Sequence, residues 1–119
     1  MDVINRDSVN EFTTKDGSSI REILAPVNSS LKAQSLAEAT LKPEQSTGKH
    51  LHVRAEEVYY VLKGRGLMEI GQEKREIGPG DGIAIPPGSE HKLTNTGEEN
   101  LVFLCCCSPA YSHDDTVMS

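Results

Sequence analysis

The chain has 119 residues and a net charge of −6, with its acidic side chains spread along the sequence rather than gathered in blocks. That length suits one domain, and the charge leaves no basic stripe to follow a phosphate backbone or an anionic membrane, which argues against nucleic-acid and membrane partners. Hydrophobic residues make up 36% and aromatics 4%, with no Trp, a lean composition that still fills a β-sandwich or barrel core from Val, Ile and Leu.

No apolar run approaches the roughly 20 residues that span a bilayer, and Met1-Asp2-Val3-Ile4-Asn5-Arg6-Asp7 has no apolar stretch of a secretory signal. A cytoplasmic protein is expected. Residues 1–17 are polar, end in the turn signal Lys15-Asp16-Gly17, and read as an arm or an edge strand. Ser19 to Ala25 alternates as a strand does, and Pro26 stops it. Gln34 to Leu41 holds Leu, Ala and Glu, which favour a helix, but its neighbours are strands and Pro43 follows, so a strand is expected.

From Lys49 the pattern is short β segments divided by turns. Val58–Lys63 is β-branched and aromatic, Gly64-Arg65-Gly66 turns it, and Leu67–Ile70 returns. Strands follow over 74–77, 83–85 and 91–95, separated by the Gly78-Pro79-Gly80-Asp81-Gly82 and Pro86-Pro87-Gly88 turns. Leu101 to Cys107 (LVFLCCC) reads as a strand buried on both faces. Many short strands at this spacing indicate a sandwich or barrel rather than a βαβ fold. Residues 109–119 read as a polar tail, with Pro109 and Tyr111 as anchors and His113, Asp114 and Asp115 solvated. Cys105, Cys106 and Cys107 are consecutive, so they offer neither a spaced disulfide framework nor Cys-x-x-Cys zinc spacing, and read as reduced thiols.

The residues with chemical potential begin with His50 and His52. On a strand, positions two apart point to one face, and two adjacent imidazoles are best explained by a shared cation. Glu57 opens the next strand and reaches the same centre if the two strands pair, and His91 follows the Pro86-Pro87-Gly88 turn. Three imidazoles and a carboxylate suit one divalent transition ion: Mn, Fe, Co, Ni, Cu or Zn.

Two spaced patterns extend this reading. His50-Leu51-His52, four residues, Glu57, six residues and Gly64 is similar to the first cupin motif. Gly80, five residues, Pro86-Pro87-Gly88, two residues, His91, three residues and Asn95 resembles the second at every defined position. The chain is thus similar to small single-domain cupins, microbial proteins often named after mannose-6-phosphate isomerase or oxalate decarboxylase. The resemblance implies an all-β double-stranded β-helix, a jelly-roll barrel over residues 18–108, with His50, His52, Glu57 and His91 as the metal ligands. Glu44 stands where the first motif usually opens with Gly, and Gly48 is expected to serve that turn instead. Glu56 is the rival carboxylate. The distance to Gly64 favours Glu57, and alternation turns Glu56 outward.

Alternation also turns Tyr59 and Val61 inward with Glu57. Tyr59 is the candidate catalytic hydroxyl, against the plainer reading of a core aromatic. Glu38 is a weaker candidate base. Arg54 shares the face of His50 and His52 and would draw an anionic ligand to the mouth, while Lys92 points away from His91. Cys105 and Cys107 share one face, more plausibly as small core residues than as ligands. An ion held by three neutral imidazoles and one carboxylate keeps about one positive charge and prefers anionic or chelating oxygen. The favoured function is a metal-dependent enzyme on a small carboxylate, keto acid or diol. A non-catalytic binding or sensor module for a sugar or organic acid stays open, as does a sugar-phosphate isomerase. A homodimer is expected, with the N-terminal segment adding a strand to a neighbour's sheet.

Overall fold

The computed structural model describes residues 1–119. Eleven strands form it: β1 (Phe12–Thr13), β2 (Ser19–Leu24), β3 (Ser35–Leu41), β4 (His50–His52), β5 (Glu56–Lys63), β6 (Gly66–Ile70), β7 (Glu73–Ile77), β8 (Gly82–Ile85), β9 (His91–Asn95), β10 (Leu101–Ser108) and β11 (Thr116–Met118). Short 3-10 turns at Arg6–Ser8 and His113–Asp115 are its only helical segments, and no helix is long and apolar enough to cross a membrane. All pairing is antiparallel. One sheet runs β1-β2-β3-β10-β5-β8 and the other β11-β4-β9-β6-β7. Two facing antiparallel sheets of this kind make a jelly-roll barrel.

Alternation decides what lies inside. Along β5, Glu57, Tyr59 and Val61 are buried while Glu56, Val58, Tyr60 and Leu62 face outward. The core gathers these inner faces around Phe103, Leu41, Leu93 and Leu101. Segment 35–41 is a strand despite its helix-favouring residues, because β2 and β10 pair with its two edges and burial on the sheet outweighs local propensity. Gly64 needs to be glycine twice over: its φ is 91°, and a Cβ would meet Asn100 O at 2.7 Å. Asn95 is buried and ties three backbone segments together, donating to Leu41 O and Glu99 O and accepting from Gly97 N.

Three expectations need correction. The turn before β4 is made at Glu44, which adopts φ 70°, and not at Gly48. Gln45 N donates to Lys42 O at 3.0 Å across Pro43-Glu44, a type II turn whose third position demands the left-handed backbone. A Cβ at Gly48 would meet Met118 Cε at 2.6 Å, but that is the end of a flexible side chain that can turn aside, so neither space nor backbone demands glycine there. The strand β10 is buried on one face only. It is central in its sheet, but Val102 and Leu104 are half-buried and Cys106 is exposed on the outer side. Asp115 is not solvated: only 6% exposed, it accepts from Arg54 N and Ala55 N, which leads β11 back against β4. His113 and Asp114 are exposed as expected. Of the two alternatives for residues 1–17, Phe12 and Thr13 take the edge strand, pairing with β2 at the end of the six-stranded sheet.

Candidate metal centre

The centre is assembled from both sheets. Strands β4 and β9 carry the histidines, with His50 directly opposite His91. His52 is two residues along β4, so all three rings enter the barrel from one sheet. The chain then crosses to the other sheet through Val53-Arg54-Ala55 and delivers Glu57 on β5. The four residues between His52 and Glu57 are that three-residue crossing and Glu56, which opens β5. All four residues are buried, and one donor atom from each lies within 4.8 Å of the others. Ring centroids stand 4.2 Å apart for His50–His91, 5.2 Å for His50–His52 and 5.6 Å for His52–His91.

Hydrogen bonds fix the tautomers. A backbone carbonyl only accepts, so His50 Nδ1–H donates to Gly48 O at 2.7 Å and His91 Nδ1–H to Ser89 O at 2.9 Å. The Thr116 hydroxyl donates to Ser112 O at 3.0 Å, which leaves its oxygen to accept from His52 Nδ1–H at 3.1 Å. Every Nε2 therefore turns a lone pair inward. His52 Nε2 lies 3.1 Å and His91 Nε2 3.5 Å from Glu57 Oε1. Three lone pairs and an anionic oxygen facing one point repel one another unless positive charge sits between them. A proton on His52 serves one pair only. His91 Nε2 is buried with no hydrogen-bond partner, and a cation would satisfy it together with the other three. The residues fit a divalent transition ion, and the outer partners that orient them are in place.

Titration follows the same geometry. Burial, then the neighbouring His91, pushes His50 below its ordinary range. Burial opposes charge on His52 as well, but the hydrogen bond and charge of Glu57 outweigh it and raise that imidazole. Burial would raise Glu57, yet the hydrogen bond and charge of His52, with His91 Nε2 approaching to 3.5 Å, hold it at about 2. Its second oxygen, Oε2, accepts from the Cys107 thiol at 3.1 Å, because Cys107 lies opposite Glu57 in the β10–β5 register. Burial pushes the Cys105 and Cys107 thiols up, so both stay protonated as cavity-wall residues.

A narrow cleft of about 40 Å³ opens onto His50, His52 and Glu57. Its walls are partly apolar, from Phe12, Ile20 and Phe103, and partly acidic, from Asp16 and Glu22. Tyr59 lines it as the alternation indicated. The residue is only 2% exposed, its ring centroid lies 4.8 Å from that of Phe103 and 6.1 Å from His91, and burial raises its hydroxyl well above the ordinary value. Arg54 does not reach the cleft. Its side chain is 77% exposed and turns to Asp115 at 3.6 Å, because Asp115 binds the backbone of the same loop. Lys92 is not on the wall, and Glu38 lies outside it too, paired with Arg6 at 2.7 Å. Asp16, Glu22, Tyr111 and Thr116 are the site residues that strand spacing did not reveal. Asp16 had only a turn signal, and Tyr111 only its place in a polar tail.

Fold and centre together define a small jelly-roll barrel able to hold one metal ion between its sheets. The chain belongs to the cupin family: the cupin domain model matches residues 37–107, more than half of its length. It is 48% identical over 110 residues to the uncharacterised protein MJ1618 of Methanocaldococcus jannaschii, covering 92% of this chain and 88% of that one. It is 36% identical over 72 residues to a glucose-6-phosphate isomerase of Thermococcus gammatolerans, covering 55% of this chain and only 38% of that protein. The crystal structure of a predicted oxalate decarboxylase from Thermotoga maritima superposes with a TM-score of 0.79 at 25% identity, covering 91% of this chain and 99% of that one.

Proposed function

We propose that His50, His52, Glu57 and His91 hold one divalent transition ion, and that the chain is a metal-dependent enzyme acting on a small oxygen-rich molecule, a carboxylate, keto acid or diol. The observation that carries this reading is the buried, unpartnered His91 Nε2 among four converging donor atoms. Bound there, an ion of this kind supplies Lewis acidity to an oxygen ligand. The chain's own part is to orient the three imidazoles through Gly48 O, Ser89 O and Thr116, to hold Glu57 through Cys107, and to exclude water with the apolar wall. Tyr59 is proposed as the catalytic side chain, since it lines the cleft with its ring centroid 6.1 Å from that of His91.

A sugar-phosphate isomerase remains the second enzymatic reading, favoured by the Thermococcus relative. It is disfavoured by a cleft lined with no Lys or Arg to neutralise a phosphate. A binding module without turnover is the third. The extent of the functional barrel is proposed as residues 18–108, with 1–17 and 109–119 as its flanking segments. The three free cysteines support a cytoplasmic setting. A homodimer is proposed on the apolar outer face of β5, where Val58, Tyr60 and Leu62 are 45–46% exposed.

The test begins with metal content of the full chain purified without added metal, expected to reach one ion per chain. His91→Ala is expected to lose most of that metal while keeping its far-UV dichroism, and unchanged metal content in this variant would remove His91 from the site. Proton NMR of the loaded protein with small hydroxy and keto compounds then separates the readings: conversion of a compound supports an enzyme, and binding without change supports the module.

A further inference from the structure

The charge of the cleft differs from that of the four ligands alone. Of its 17 lining residues none is Lys or Arg, whereas Asp16 and Glu22 add two carboxylates to Glu57. Asp16 is held in place from one side. Its Oδ1 accepts from Thr14 Oγ1 at 2.6 Å, Ser18 N at 2.9 Å and Ser18 Oγ at 2.6 Å. That network is built by the tight turn between β1 and β2, and it leaves Oδ2 free, 3.6 Å from His50 Nε2. The Nε2 carries a lone pair, because Nδ1–H is committed to Gly48 O. The His50 nitrogen is committed to the centre, so Asp16 Oδ2 beside it is an acceptor open to an O–H that reaches it from the cleft. Glu22 lines the same cleft, half-buried, and burial raises its carboxyl with no hydrogen bond or ion pair opposing the shift. The wall offers acceptors for hydroxyl groups and no cation for an anion.

We propose that Asp16 and Glu22 make this cleft selective for a neutral ligand with vicinal hydroxyl or hydroxycarbonyl oxygens, Asp16 accepting the O–H of the ligand oxygen nearest His50, and that carboxylated or phosphorylated counterparts are rejected. The inference rests on the metal-dependent reading above. It also qualifies the simple count of one residual positive charge: two further carboxyl side chains, Asp16 and Glu22, line the cleft beside the centre, and no Lys or Arg does. A carboxylate is thereby the least favoured of the three proposed oxygen ligands, and a diol or hydroxyketone the most favoured. The apolar half of the wall, including Phe12 and Phe103, suits the carbon skeleton of such a molecule.

Matched pairs isolate charge from shape. The metal-loaded full chain is titrated calorimetrically with dihydroxyacetone and dihydroxyacetone phosphate, mannose and mannose 6-phosphate, and glycolaldehyde and glycolate. The neutral member of each pair is expected to bind at least tenfold more tightly. Asp16→Asn, titrated at metal saturation established by chelator competition, is expected to weaken the neutral ligands tenfold or more. Glu22→Gln, a half-buried change with little effect on folding, is expected to narrow the discrimination against the charged members. Equal or tighter binding of the charged members with metal bound overturns the inference, as does binding of neither member, or neutral-ligand affinity unchanged by Asp16→Asn. A protein that takes up no metal overturns the metal-dependent reading itself, and the same chelator competition on the unmodified chain tells the two failures apart.

Discussion

Thr116 decides which nitrogen of His52 faces the centre. Its hydroxyl proton is committed to Ser112 O, so its oxygen accepts the imidazole Nδ1–H. Thr116→Val keeps the shape and removes that acceptor inside a site where Thr116 is 3% exposed. The buried N–H then has no partner, and the ring is free to turn its other nitrogen inward. Groups that orient a metal-bound histidine typically matter about 10–100-fold in affinity. A loss in that range is expected by chelator competition, with Thr116→Ser restoring it, and an unchanged affinity would refute the tautomer assignment. The four convergent residues were legible in the sequence because period two along a strand and the spacing around two turns are local properties. Their orienting partners split into two kinds. Gly48 and Ser89 lie two residues from the rings that they hold, whereas Thr116 is 64 residues from His52 and Cys107 is 50 from Glu57. Those distant contacts are set by strand register between elements, which no local pattern encodes. Asp16 escaped for the same reason: its turn was legible, the place to which that turn carries a carboxylate was not.

At the scale of elements, the strands themselves were readable wherever β-branched residues and turn glycines alternate, from 56 to 108. Two places were not. The turn at Lys42-Pro43-Glu44-Gln45 uses a left-handed residue that lacks glycine's freedom, with Glu44 at φ 70°. That backbone costs a side-chain-bearing residue about 1–2 kcal/mol, partly offset by the entropy that a glycine would lose on folding, about 0.5–1 kcal/mol. Glu44→Gly is therefore expected to stabilise the chain by up to about 1 kcal/mol, read from urea unfolding with unchanged slope; a loss of stability would mean that the Glu44 side chain contributes more than its backbone costs. The second place is β11. Residues 113–118 look polar and loose, but Asp115 anchors them by accepting two backbone N–H groups of the 53–55 crossing. Burial would raise this carboxyl, and the bonds from Ala55 and Arg54 with the charge of Arg54 outweigh it and hold it below the ordinary range. A depressed folded value means that the stabilisation is complete above the unfolded value and disappears as pH falls through the folded one. Asp115→Ala is expected to cost about 1–3 kcal/mol near neutrality by leaving buried donors unpaired. The gap between variant and parent should close on acidification below about pH 4, where an ordinary Asp carboxyl protonates. A gap that persisted there would assign the cost to packing rather than to charge.

For the whole molecule, the unsettled surface is the outer face of the six-stranded sheet. Val58, Tyr60 and Leu62 on β5 are each 45–46% exposed, and the β10 register sets Leu104 opposite Tyr60 and Cys106 opposite Val58. Half-buried Leu104 and Val102 extend the apolar stripe toward the centre of the sheet. Contiguous apolar surface of this kind commonly marks an interface. A second copy related by a two-fold axis would bury the stripe against itself, with ordinary stable interfaces covering about 1,600 Å² in total. The N-terminal segment is a poorer candidate than the sequence suggested, because β1 already pairs with β2 of its own chain and Arg6 holds Glu38 at 2.7 Å. Light scattering at micromolar concentration is expected to give twice the 13.0 kDa chain mass. Replacing Tyr60 and Leu62 together by Lys should return it to a monomer with metal content unchanged, since both side chains point away from the core while Glu57, Tyr59 and Val61 point in. A chain lacking residues 1–10 should remain dimeric. If instead that truncation yields the monomer and the double lysine variant stays paired, the arm is the interface and the β5 face is not.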